Sequence, residues 1–114
     1  MRDYDSEEPA MYALVVRFDL KDDASAAGFD QLVKETGEGI ARDEPGTLVY
    51  ATHRVDGSPL ARVFYEVYRD REAFEEHERQ PHTLRFLAER DQFIAATRVE
   101  FLAPATSKGL PADG

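Results

Sequence analysis

Residues 66–86, EVYRDREAFEEHERQPHTLRF, decide how the rest of the chain is arranged. The stretch closes a strand, turns at Arg69-Asp70 and enters a helical run that carries His77 and His82, two of the chain's three histidines. Asp70 is suited to cap a short helix over 71–79, because its carboxylate can accept hydrogen bonds from the free amides of the first turn. Pro81 fits the opening turn of a second helix that reaches about residue 94. The run is therefore broken in two at Gln80-Pro81, since proline has no amide hydrogen to continue a helical ladder.

Upstream, Tyr12, Leu14, Val16, Phe18 and Leu20 alternate with Arg17 and Asp19, the period of a strand with one buried side. Asp22, Asp23 and Ser25 can then cap an amphipathic helix over 24–43, whose apolar stripe is Phe29, Leu32, Val33, Thr36 and Ile40. Gly37 and Gly39 weaken its last turns by about 1 kcal/mol each relative to alanine, and Pro45-Gly46 ends it. A strand over 48–55, a turn at Asp56-Gly57 and a returning strand over 60–68 read as a hairpin, and 97–103 as a final strand. The order β-α-β-β-α-β predicts an α+β, ferredoxin-like protomer: an antiparallel sheet with its helices on one face. Val63, Phe64, Tyr65 and Val67 put apolar side chains on both sides of one strand, which predicts that a second copy covers the other face as a homodimer. The ends, 1–10 and 104–114, read as a loose arm and tail around a folded domain over 11–103.

A chain of 114 residues suggests one domain. Its net charge of −9 and pI of about 4.7 speak against nucleic acid and anionic membranes, both of which call for a basic surface. Without cysteine there is no disulfide framework, thiolate metal site or thiol nucleophile. No apolar run approaches the roughly 18 residues of a membrane span, and the acidic start MRDYDSEEPA is unlike a signal peptide. The expected location is the cytoplasm.

Histidine exchanges protons near neutral pH, so His77 and His82 are the chief candidates for chemistry. Phe74 and His77 are three apart and share a helix face, while His82, Phe86 and Phe93 form a stripe at spacings of four and seven. Both imidazoles should look toward the sheet or its rim, as core residues with satisfied partners or as working groups of a pocket. Glu76, His77 and His82 match no metal motif. His53 falls on the second strand with Val49, Ala51 and Val55, where an interface role fits as well as a site. Glu66 lies between Tyr65 and Val67 in a core strand, and a buried carboxylate needs a partner. Arg17 or Arg98 would make a structural ion pair; a histidine would make Glu66 the group that orients a base. The serines lack a nucleophile-elbow setting, and no phosphate loop or dinucleotide fingerprint is present.

The ordered set Glu44-Pro45-Gly46-Thr47-Leu48 with Tyr50, Glu66 with Tyr68, Phe74 with His77, and Pro81-His82 resembles the antibiotic biosynthesis monooxygenase family over about residues 12–103. The resemblance implies a dimeric α+β barrel of two ferredoxin-like protomers. It also implies small oxygenases that act on quinols or anthrones with no flavin, metal or haem, so no cofactor is expected. His77 and His82 fall at the family's paired-histidine helix positions, and Arg17 at a common arginine of the first strand. Haem-degrading members differ: they carry asparagine where this chain has Val16, tryptophan where it has His77, and a ligating histidine near Leu87. The asparagine and tryptophan associated with anthrone oxidation in some members are missing too.

The expectation that follows is a cofactor-independent monooxygenase for a small aromatic hydroquinone or anthrone, with O2 as co-substrate. His77 or His82 is the catalytic base. Arg17, Tyr50, Glu66, Phe74 and Phe86 bind or orient the substrate. Two rivals use the same pocket: a dimeric binding or stress-associated protein that holds a hydrophobic metabolite, and an isomerase or cyclase that needs the base but not oxygen.

Overall fold

The computed structural model describes residues 10–110; the expectations for residues 1–9 of the arm and 111–114 of the tail lie outside the described residues. The elements run β1 (Tyr12–Leu20), α1 (Asp23–Asp43), β2 (Thr47–Val55), β3 (Ser58–Tyr68), α2 (Arg71–Glu78), α3 (Pro81–Glu89), a 3₁₀ turn (Arg90–Gln92) and β4 (Ile94–Leu102). The strands form one antiparallel sheet in the order β2-β3-β1-β4, the α+β, ferredoxin-like plan the element order implies. Tyr12 pairs with Tyr68 and Val16 with Phe64 on one side of β1, and Val16 with Val99 on the other.

Local sequence accounts for most boundaries. Asp22 caps α1 by accepting from the Ser25 amide at 2.7 Å, and Asp70 caps α2 through the Ala73 amide at 2.8 Å. Gly57 turns the β2–β3 hairpin with φ of +80°, a conformation that favours glycine. The largest difference from the sequence reading lies between α3 and β4. The helix expected to reach residue 94 stops at Glu89, and β4 begins at Ile94 rather than 97. Phe93 follows the 3₁₀ turn and its ring fills the space beside Gly28 of α1, while its carbonyl accepts the Lys21 amide at 3.0 Å. Its sevenfold spacing from Phe86 imitates a helical stripe, but a tertiary contact fixes it.

The helices pack on one face of the sheet. Leu14, Val16, Phe18 and Leu20 of β1 meet Phe29 and Leu32 of α1, Phe64 and Tyr68 of β3, and Phe86 of α3. Phe18 is the hub, with ring centroids 5.1 Å from Phe29 and 5.0 Å from Phe64; such pairs add about 0.5–1.5 kcal/mol beyond burial. At the rim, Arg62 of β3 is buried and grips Asp30 of α1 through two hydrogen bonds of 2.9 and 3.0 Å. On the opposite face no helix among the described residues covers Val15, Arg17, Val63 and Tyr65, which are half-buried.

Candidate active site

The site is assembled from three places where helices end. Glu44 caps the C-terminus of α1, its amide bonded to the Ile40 carbonyl at 3.1 Å. Pro45 follows, and the residue before a proline is pushed out of helical conformation; Glu44 accordingly has φ −123° and ψ 77°. Gly46 then lets α2 approach closely, since a Cβ there would collide with Ala73, and its carbonyl accepts the Arg69 amide at 2.9 Å. His77 lies in the last turn of α2 and His82 in the first turn of α3. The break at Gln80-Pro81 turns both toward the carboxylate of Glu44.

Glu44 holds three donors. Its Oε1 accepts from His77 Nδ1 at 2.8 Å and from the Thr47 hydroxyl at 2.7 Å, and its Oε2 accepts from His82 Nε2 in a very short contact. The Glu44 side chain is 4% exposed, and those of His77 and His82 are 10% and 12%. Burial alone would raise its pKa, but the hydrogen bonds from His77, Thr47 and His82 and the charge of His77 outweigh it and bring the carboxyl down to about 2. Near neutral pH Glu44 is thus a carboxylate, which only accepts. The nitrogen that each histidine turns to it must carry a proton, and the neutral His77 ring keeps Nε2 as its free acceptor.

A cavity of about 190 Å³ lies between the inner sheet face and the helices α2 and α3. Leu14, Val16, Phe64, Phe74 and Phe86 give it apolar walls, and His77, Glu66 and Tyr50 stand among them. Glu66 is 7% exposed and accepts from the Tyr68 hydroxyl at 2.5 Å. Burial raises the Glu66 pKa, an effect that the Tyr68 hydrogen bond and the charge of His77 only partly offset. Burial also raises the pKa values of Tyr50 and Tyr68, helped by the charge of Glu66, so both phenols stay protonated. On the far side of the Glu44–His77 pair a more polar hollow of about 280 Å³ opens along Asp43, Arg69, Glu72 and Glu76.

The sequence candidates therefore separate. His77, Glu66, Tyr50, Phe74 and Phe86 share one cavity. His82 does not line it; the ring lies between Gly39 of α1 and the Glu44 carboxylate. Arg17 stands on the other face of the sheet, its guanidinium 3.2 Å from Asp19, and does not reach the cavity from within the chain. Glu66 is partnered neither by Arg17 nor by Arg98 but by Tyr68, and the carboxylate that orients an imidazole is Glu44. His53 is exposed, with Nδ1 3.1 Å from the Val63 carbonyl. Glu44 was not singled out as a working residue by sequence, and neither was Thr83, whose hydroxyl lies 3.4 Å from His77 Nδ1. Among the described residues, no group of three or more His, Cys, Asp or Glu is placed to hold a metal ion, and no helix is long and apolar enough to cross a membrane.

A histidine bonded to a buried carboxylate lines an apolar cavity in a small, four-stranded ferredoxin-like domain. The chain belongs to the antibiotic biosynthesis monooxygenase family, whose model matches residues 11–89. Among solved structures, a candidate antibiotic biosynthesis monooxygenase from Caulobacter crescentus superposes with a TM-score of 0.80 at 20% identity, covering 92% of this chain and all of that one. The protein Rv0793 from Mycobacterium tuberculosis gives 0.77 at 24% identity, covering 86% and 98%. A candidate monooxygenase from Lactobacillus acidophilus gives 0.78 at 25% identity, covering 84% of this chain but 45% of that longer one. No curated protein matches the chain. Family membership supports an enzyme of general monooxygenase type.

Proposed function

We propose that the protein is a cofactor-independent monooxygenase that oxidises a small aromatic hydroquinone or anthrone-type ring with O2. One observation carries this reading: His77 lines the apolar cavity while its Nδ1 is tied to a buried, ionised Glu44. That bond fixes the tautomer, leaves Nε2 as the acceptor and stabilises the imidazolium once a proton arrives. It narrows the base to His77, with His82 and Thr47 holding the carboxylate.

In this reading His77 removes a proton from the bound ring and leaves an electron-rich anion. The anion gives an electron to O2, the radical pair joins through a new C–O bond, and the hydroperoxide takes back the proton and loses water. For a hydroquinone the sum is substrate plus O2 giving a hydroxyquinone plus H2O, with the electrons supplied by the substrate. Apolar walls exclude competing water, and the protonated phenol of Tyr50 can donate to a developing oxyanion. The volume of about 190 Å³ lies below the roughly 300–1,000 Å³ of pockets for drug-sized ligands, which favours the hydroquinone over the three-ring anthrone of this proposal. The half-buried outer sheet face around Val63 and Tyr65 is covered, in the same proposal, by a second copy of the chain.

The test is oxygen uptake with a panel of hydroquinones and anthrones and no added cofactor. Uptake that disappears in His77→Ala supports the reading. Turnover unchanged in His77→Ala eliminates it, binding without oxygen consumption makes the protein a carrier, and anaerobic product formation makes it an isomerase or cyclase.

A further inference from the structure

Among the described residues, Arg90 is the one arginine or lysine that lines the cavity. Arg90, at the end of α3, lies over Phe18 and Phe86 with its guanidinium carbon 5.7 Å from each ring centroid. Its Nε is buried and has no hydrogen-bond partner among the described residues. The nearest carboxylate, Asp91 Oδ1, is 3.8 Å away on a side chain that is 86% exposed. The other arginines with buried or half-buried heads behave differently: Arg62 is held by Asp30 and two carbonyls, and Arg17 meets Asp19.

A guanidinium presents donors in a planar fork that matches a carboxylate, and a buried N–H left without an acceptor is costly. The residues that share the wall offer Arg90 no anion in bonding reach, although Glu66 and Glu78 also line the cavity. An anionic group supplied from outside satisfies it. The aromatic floor of Phe18, Phe64 and Phe86 accepts a flat ring beside it.

We infer that Arg90 is the specificity residue of this cavity and that the ligand is a small aromatic acid, its ring on the phenylalanine floor and its carboxylate on the Arg90 guanidinium. The inference deepens the proposed function by naming the substrate class of the same cavity, and it rests on that cavity holding an aromatic ring. The position of Arg90 at a helix C-terminus also favours a positive charge there. That contribution is the same whichever ligand is bound and creates no preference between ligands.

The experiment measures anaerobic binding of hydroquinone and of 2,5-dihydroxybenzoate, which differ by one carboxylate, by calorimetry on the wild type, Arg90→Gln and Arg90→Lys. The expected result is at least tenfold tighter binding of the dihydroxybenzoate to the wild type. Arg90→Gln brings the ratio of the two affinities to about one, and Arg90→Lys retains part of the preference. Equal affinities in the wild type, no binding of either compound, or a preference that survives Arg90→Gln overturns the inference. Because oxygen is absent, a preference for the acid without later oxygen uptake would sink the oxygenase reading and leave this one standing.

Discussion

Gly39 of α1 lies flush against the imidazole of His82 on α3, and the space a methyl group would need is already filled by the ring. Helix propensity alone makes Gly39→Ala stabilising by about 1 kcal/mol. The ring is packed and its Nε2 is bonded to Glu44, so it cannot swing aside without losing a buried hydrogen bond worth about 1–3 kcal/mol. The expected outcome is a net loss of about 1–2 kcal/mol in urea denaturation, whereas Gly37→Ala, with only Tyr50 at 3.9 Å, should be neutral or stabilising.

Glu44 makes stability fall in acid. Its pKa drops from the ordinary 4.5 to about 2 on folding, so its contribution is complete above 4.5 and is lost as pH falls toward 2. Across that window the wild type should lose at most about 3 kcal/mol relative to Glu44→Gln, whose amide does not titrate. Thermal melts of both proteins at half-unit intervals measure the difference. Parallel curves would show that the carboxyl is not held ionised by its three donors.

Glu66 works in the opposite sense. Burial raises its pKa, so the folded state favours the protonated acid, and stability from this group is present below 4.5 and is lost as pH rises through the shifted value. Glu66→Gln keeps an oxygen for the Tyr68 hydroxyl and removes the charge. It should match the wild type in acid, where the folded-state carboxyl is protonated, and exceed it at neutral pH. Tyr68→Phe deletes a hydrogen bond that lowers the pKa and should move the Glu66 carboxyl titration, followed by NMR, further up.

The ion pair at the sheet rim is structural. Asp30→Ala would leave the buried Arg62 guanidinium with only the Pro59 and Ala61 carbonyls. Uncompensated buried charges are expensive, and the exposure of Asp30 moderates the effect, so the expected loss is about 2–3 kcal/mol with no change in cavity ligand affinity.

Under the proposed function, His77→Ala should lower kcat by about 10²–10⁴-fold, the usual range for a lost general base. His82→Ala acts through Glu44 and should cost less, with kcat reduced and KM unchanged. A profile of kcat against pH separates the roles, because only the base should eliminate the limb that belongs to proton removal.

Much of this architecture was legible from residue order. The alternation from Tyr12 to Leu20 is the observed span of β1, and it already placed Arg17 opposite Val16 and Phe18, on the face away from the cavity. Asp22, Asp70 and Pro81 marked helix starts that the structure shows. The end of α3 was hidden because Phe93 continues the spacing of Phe86 while it packs on Gly28. Glu44 was hidden for a different reason. It stands 33 residues from His77 and 38 from His82, so no local pattern joins them. The available signal was an acid directly before Pro45-Gly46, at the end of a helix carrying an otherwise costly glycine at position 39.

The hairpin turn at Asp56-Gly57 divides the candidate site unevenly. Residues before it supply the Glu44 carboxylate, and residues after it supply both imidazoles and Arg90. A protease nick at this exposed turn would leave two pieces, each with one partner of the Glu44–His77 hydrogen bond and neither able to settle the tautomer of His77. Mixing them should restore the Glu44–His77 bond only as fast as the β2–β3 ladder re-forms, making the protein its own fragment-complementation reporter.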